Sequence, residues 1–375
     1  MPKEIGNLSG LEFLFCSKNK LGSIPDEIGC LSKLSKFYLS NNNLSILPFS
    51  MKYLNQLVEL KLDNNKFTSF PRCILHLKSL KFLNLENNKI KNIYENFNEL
   101  KSLEMINLSY NKIEELPHFL YTIKTLTHIN LKNNNLKKIY INLNKLNNLI
   151  YLNLSVNKIF YISELIGSFK KLKYLYLEKN KLKILPENKF DLIIIIFFSI
   201  SKDICKLNNL KFLFLGKNKI KIFPNFLDQL GSLRIIDLSC NCISELPFEI
   251  GNLTHVKILI LRNNKINSVP NTIEKLKNLD IKIDLRGNNL INLSTEFFLI
   301  IPYVITWDGI VSKYHSKHRK DLGITDRIEA YNTFSLQLLN KTLESISMKY
   351  RRGERIAETE EADQQTIVFQ RQILA

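Results

Sequence analysis

The chain has 375 residues, of which 45% are hydrophobic and 23% charged, enough apolar material for a real core in an ordinary soluble protein. Its 53 Lys and Arg against 35 Asp and Glu leave a net charge of +18, which raises nucleic acid or an anionic membrane as partners. The positive charges are mostly lysines dispersed along the chain, so they read as solvated faces and argue against a nucleic-acid site.

The first segment, Met1-Pro2-Lys3-Glu4-Ile5-Gly6-Asn7-Leu8, matches residues 24–31, so the expectation is a start inside a repeated unit with no signal peptide. An uncovered edge strand near Leu14 would be an aggregation risk. The expectation is that further repeats precede Met1, the alternative being another element over that edge.

From Leu11 onward one pattern recurs. LEFLFCSKNKL begins at Leu11, LSKFYLSNNNL at Leu34, LVELKLDNNKF at Leu57 and LKFLNLENNKI at Leu80. The asparagines Asn19, Asn42, Asn65, Asn88, Asn111, Asn134, Asn157 and Asn180 follow at intervals of 23 residues. Asn218, Asn241 and Asn264 resume the beat, and Asn288 arrives one residue late. In each copy an alternating apolar pair such as Leu83 and Leu85 predicts a short strand that fills the core from one side. The asparagine amide has the donors and acceptor to satisfy turn backbone groups that have no strand partner. The second half of each unit returns on the opposite side and buries residues such as Ile28 and Leu31. One unit cannot bury its apolar face alone, so the copies stack into a continuous core.

This pattern resembles the leucine-rich repeat family over roughly residues 1–300. The resemblance implies an α/β solenoid: a curved stack with a parallel sheet on the concave side and loops or short helices on the convex side. The period of 23 with Leu-Pro in the second half is most similar to the intracellular type of Ras-pathway scaffolds and plant Ras-group proteins.

The six cysteines, Cys16, Cys30, Cys73, Cys205, Cys240 and Cys242, form no paired framework at either end of the array. Their arrangement argues for a reducing, cytoplasmic location. Cys240 and Cys242 alone make no metal site, and no cofactor motif is present.

Residues 187–203 interrupt the beat. The apolar run 191–198 is too short to span a bilayer, so the segment reads either as a partner- or lipid-touching loop or as a translated intron. Beyond residue 300 the composition changes. Residues 301–324 are expected to cap the last repeat around Trp307 and to continue as a linker with the basic run Lys317-His318-Arg319-Lys320. His315 and His318 lack the further ligands that a metal needs. Residues 325–375 form a tail in which Leu336, Leu339, Leu343, Ile346 and Tyr350 give one helical apolar stripe. A Glu-rich stretch over 354–363 reads as exposed helix or disorder.

Residues flanking the core leucines point to the concave face. Twelve strands at about 4.8 Å give an arc on the order of 50 Å, enough to cradle a small domain. Asn84, Asn107, Asn130 and Asn153 are expected to form a ladder of side-chain amides. Tyr151, Tyr174, Tyr176, Phe212, Phe214, Ile235, Ile258 and Ile260 form an outward apolar strip, the expected partner-binding site. Asp63 stacks on Glu86, and Arg262 on Arg286. Tolerated like charges on adjacent strands suggest a partner with complementary basic and acidic ends.

No phosphate-binding glycine loop, nucleophile elbow or zinc-protease helix appears, so the expected role is a non-enzymatic scaffold that binds a folded protein. The family resemblance implies a small GTPase or a protein phosphatase as partner. The competing reading is the recognition region of a larger enzyme, or a pathogen or symbiont effector, whose catalytic part lies outside this chain.

Overall fold

The computed structural model describes residues 1–91, 93, 100–116, 120, 122–139, 146–162, 164–183, 202–276 and 282–291. The chain divides into two compact units, Met1–Ile310 and Val311–Ala375. The interruption at 187–203 up to residue 201, the cap and basic linker at 301–324 and the tail at 325–375 lie outside the described residues.

Fourteen short strands are present among the described residues. They are β1 (Phe13–Phe15), β2 (Lys36–Tyr38), β3 (Glu59–Lys61), β4 (Phe82–Asn84), β5 (Met105–Asn107), β6 (His128–Asn130) and β7 (Lys138–Ile139). After them come β8 (Tyr151–Asn153), β9 (Tyr161–Ile162), β10 (Tyr174–Tyr176), β11 (Phe212–Phe214), β12 (Ile235–Asp237), β13 (Ile258–Ile260) and β14 (Lys282–Asp284). Twelve of them form one parallel sheet in chain order, and β7 pairs separately with β9. Equivalent repeat positions face each other, as in Leu60 opposite Leu83 and Leu83 opposite Ile106. Because the side-chain period of a strand is two, this register sends every middle residue inward, and the burial of β2 to β6 alternates accordingly.

The opposite side of each turn is short 3₁₀ helix where it is described, for example Asp26–Cys30, Phe49–Tyr53 and Arg72–His76. The Ile24-Pro25, Leu47-Pro48 and Phe70-Pro71 steps place the prolines in extended backbone just before these helices. A locked φ and a missing N–H suit that position. Ile28, Met51 and Ile74 reach inward from these helices and meet Leu60 and Leu83 from the sheet, all fully buried. The turns pack closely here: a Cβ on Gly29 would stand 2.6 Å from the Ser50 carbonyl oxygen.

The recurrent asparagines from Asn42 to Asn264 are buried and hold the turns together, whereas Asn19 at the first turn is exposed and Asn288 at the last is half-buried. Asn111 donates from Nδ2 to the carbonyls of Leu85 (2.9 Å), Leu108 (3.1 Å) and Ser109 (3.2 Å), while its Oδ1 accepts the N–H of Ile90 at 3.0 Å. The same set repeats at Asn65, Asn88 and Asn157. The residue before each such asparagine takes a positive φ, from Lys18 at 58° to Asn263 at 56°. Asn41, Asn64, Asn87, Asn133 and Asn263 suit that left-handed conformation, whereas β-branched Val156 at 57° does not.

Candidate functional site

The outward residues of the sheet form two files. In the first, Tyr151 lies opposite Tyr174, which lies opposite Phe212, followed by Ile235 and Ile258. In the second, Tyr176 lies opposite Phe214, then Asp237 and Ile260. The eight apolar residues predicted as one strip are therefore brought together as two adjacent files. Asp237 interrupts the second.

The rings stack along the files. Tyr174 and Phe212 lie 4.9 Å apart at 11°, and Tyr176 and Phe214 lie 4.7 Å apart at 7°. Tyr151 sits 5.3 Å from Tyr176, and Asn153 Nδ2 donates to its hydroxyl at 3.0 Å. Such packing hides ring faces against each other. The strip is accordingly less exposed than its outward register implies. Tyr151, Tyr174, Tyr176, Phe214 and Ile260 are 4–8% exposed, and Phe212, Ile235 and Ile258 are half-buried.

His128 extends the first file, its ring 5.8 Å from Tyr151. Sequence reasoning passed over this residue, although it occupies the same repeat position as Tyr151. Burial pushes its imidazole down to about 4, so it is neutral at physiological pH. Its Nδ1 lies 2.8 Å from the Thr127 hydroxyl.

The predicted amide ladder takes a different form. The oxygens of Asn84, Asn107, Asn130 and Asn153 each accept the backbone N–H two residues on, at 3.0–3.1 Å. Asn84 Nδ2 turns to Asp63 (3.1 Å) and Asn107 Nδ2 to Glu86 (2.9 Å). A local turn bond and a charged acceptor both outcompete a neutral amide on the next strand.

The same bonds answer the like-charge stacks. Asp63 also accepts from Ser40 Oγ at 2.6 Å and from Asn64 Nδ2 at 2.8 Å. Arg286 grips Asp284 with Nε at 2.8 Å and an Nη at 2.7 Å. Arg262 acts on Asp237, lowering a carboxyl whose pKa burial raises above the usual range. Burial likewise raises Glu178, with the Asp237 charge adding to it and Lys132 opposing. Hydroxyl and amide donors at Asp63 and Glu86, and the acids Asp284 and Asp237 at Arg286 and Arg262, thus supply the compensation that adjacent-strand reasoning did not include.

Cys16, Cys30, Cys73, Cys205, Cys240 and Cys242 are free thiols. Among the described residues no group of three or more His, Cys, Asp or Glu side chains is placed to hold a metal. Among the same residues no helix is long and apolar enough to cross a membrane.

Two family models match this chain: "Leucine Rich repeats (2 copies)" over residues 78–121 and "Leucine Rich Repeat" over residues 232–253. No curated protein sequence matches it. Among solved structures, a leucine-rich repeat protein of Leptospira interrogans is 32% identical with a TM-score of 0.72, over 82% of this chain and 74% of that one. An internalin from Listeria monocytogenes is 20% identical with a TM-score of 0.59, over 82% and 89%. The leucine-rich repeat ectodomain of a plant membrane receptor kinase from Arabidopsis thaliana, in complex with Casparian strip integrity factor 2, is 23% identical with a TM-score of 0.59. That match covers 82% of this chain and 39% of the receptor. The last two share the fold.

Proposed function

The chain belongs to the leucine-rich repeat family, and on that premise we propose that it is a non-enzymatic scaffold that binds a folded protein partner on the solvent face of its sheet. Proteins of this family generally mediate protein–protein interaction. One observation carries the placement. Phe212, Ile235 and Ile258 lie opposite one another on three consecutive strands and remain half-buried, next to the buried stack of Tyr151, Tyr174 and Tyr176. A rigid apolar file with partly open members is where a partner gains most by excluding water. Charged groups at its end, Arg262, Asp284 and Arg286, supply orientation rather than bulk affinity.

Within this reading the protein is of the intracellular, Ras-pathway-like type and works in the cytoplasm, with a small GTPase or a protein phosphatase as partner. The period of 23 residues and the exposed thiol of Cys30 support that placement. Asp63 and Glu86 at one end of the sheet and Arg262 and Arg286 at the other give it two poles.

Affinity capture from cell extract tests the proposal, comparing the wild type with Ile235→Glu plus Ile258→Glu. These two positions are only half-buried, so a charge there spoils the surface with less damage to the core than Tyr176→Glu. The expected result is a defined set of proteins, small GTPases or phosphatases among them, that the folded double variant no longer retains. Recovery of the same set by both would retire the sheet face as the binding site.

A further inference from the structure

We propose that the rim beyond the C-terminal ends of β10 and β11 is a docking ridge for an acidic segment, rich in Asp and Glu, on the protein partner. This inference rests on the protein-binding reading and adds the charge character of what is bound.

The backbone sets the ridge. The residue after each ladder asparagine donates its N–H to the preceding turn: Lys158 to Leu136 (2.9 Å), Lys181 to Ile159 (2.8 Å) and Lys219 to Leu182 (3.0 Å). Those bonds align three lysines in one row. The residue before the asparagine forms a second row, where Lys179 donates to Gly216 at 2.9 Å and Lys217 to Ser239 at 2.7 Å. Lys221 follows two residues past Lys219. All six lysines are exposed, and the Lys179 charge acts on the neighbouring Glu178 carboxyl. Glu178, between Leu177 and Lys179, is half-buried and is bound by Ser155 Oγ at 3.4 Å.

The concentration is local. Neighbouring turns carry Asn133, Asn135 and Val156 on one side and Cys240 and Cys242 on the other at the same positions. Farther back, Lys66, Lys89 and Lys112 continue the first row, but Asn64, Asn87 and Tyr110 make the second row neutral, and Glu114 pairs with Lys91 at 3.3 Å. Lysine also fills both positions at Lys18 and Lys20, but the turns of Asn180 and Asn218 do so consecutively, and Glu178 beside them is turned to Ser155.

Adjacent strands lie about 4.8 Å apart, so Lys179 faces Lys217, and Lys181 faces Lys219, as like charges that cost stability when left alone. An anionic chain laid along the rows relieves that repulsion. An extended acidic peptide presents carboxylates on one side at about 6.6 Å, within the reach of flexible lysine tips. Bases would need open rings to stack on, and Phe160, the ring beside this row, is already faced by the Lys138 ammonium at 5.6 Å. The ridge therefore fits an acidic protein segment better than a single-stranded nucleic acid.

Fluorescence anisotropy of the full chain with a labelled octaglutamate peptide tests this, with an oligouridylate of matched charge as the competing probe. The ridge variant is Lys179→Gln, Lys181→Gln, Lys217→Gln and Lys219→Gln. The control loses the same charge through Lys66→Gln, Lys89→Gln, Lys112→Gln and Lys265→Gln. Peptide affinity is expected to fall about tenfold in the ridge variant and less than about twofold in the control, with the difference shrinking as salt rises. Equal losses in both variants would overturn the ridge in favour of net charge alone. Tighter binding of the oligouridylate than of the peptide, lost in the ridge variant, would overturn the acidic-protein occupant. The Ile235→Glu plus Ile258→Glu variant keeps all the ridge lysines. Capture lost there while peptide binding persists would locate a failure or success in one site independently of the other.

Discussion

Asn218 donates from Nδ2 to the Leu177 carbonyl at 2.9 Å across 41 residues, whereas the corresponding bond from Asn180 to Leu154 spans 26. The extra chain between Leu182 and Ile204 therefore does not slip the register of the repeats on either side of it. Tyr174 still lies opposite Phe212, and Tyr176 opposite Phe214. The reason is energetic: a slipped rung would leave buried backbone groups without partners, and each such loss costs about 1–3 kcal/mol.

The same cost predicts the effect of removing a rung. Asn111→Ala strands the Ile90 N–H and the carbonyls that its Nδ2 served. Stability is expected to fall by at least about 2 kcal/mol, read as a lower midpoint in urea unfolding. A midpoint within error of the wild type would mean that water replaces the amide at no cost.

Val156 sits at a φ of 57° in a position that asparagine fills in five other turns. Left-handed backbone costs a residue with a Cβ roughly 1–2 kcal/mol, and asparagine escapes part of that. Val156→Asn is expected to raise stability by about 1 kcal/mol, measured as a higher thermal midpoint. A lower midpoint would show that the Val156 side chain contributes packing that outweighs the strain.

Gly29 and Gly10 make a matched pair. A Cβ on Gly29 would stand 2.6 Å from the Ser50 carbonyl oxygen, whereas a Cβ on Gly10 would meet nothing within 4 Å. Gly29→Ala forces two turns apart and is expected to cost about 1–3 kcal/mol. Gly10→Ala should leave the unfolding curve nearly unchanged, so equal effects of the two would contradict the close approach of these turns.

His128 gives the protein a pH dependence with a defined sign. Its folded pKa of about 4 lies below the ordinary 6.5. Between those values the unfolded chain takes up a proton that the folded chain refuses. The stability due to neutral His128 is therefore complete above pH 6.5 and falls as the pH drops towards 4. Glu178 and Asp237 act oppositely, because burial raises their carboxyls and acid removes the penalty of keeping them charged. Subtracting the His128→Gln curve isolates the histidine. A difference that stays flat from pH 7 to about 4 would place the imidazole in contact with water.

The repeat was legible in the chain because stacking forces the same residue types back at a fixed interval. Leu83 and Leu85 must be apolar, Asn88 must carry an amide, and the register of the strands follows from both. The outward positions of Tyr174, Phe212 and Ile235 were legible for the same reason, since a side-chain period of two leaves no choice of face. How open those positions are was decided by tertiary packing: the rings of Tyr176 and Phe214 stack face to face and shield each other. The partners of the polar groups were decided there too. Asn84 turned to Asp63 rather than to Asn107, and Arg286 turned to Asp284 rather than standing exposed beside Arg262. A sequence fixes which groups share a column, but the strongest acceptor within reach depends on distances that only the folded stack sets.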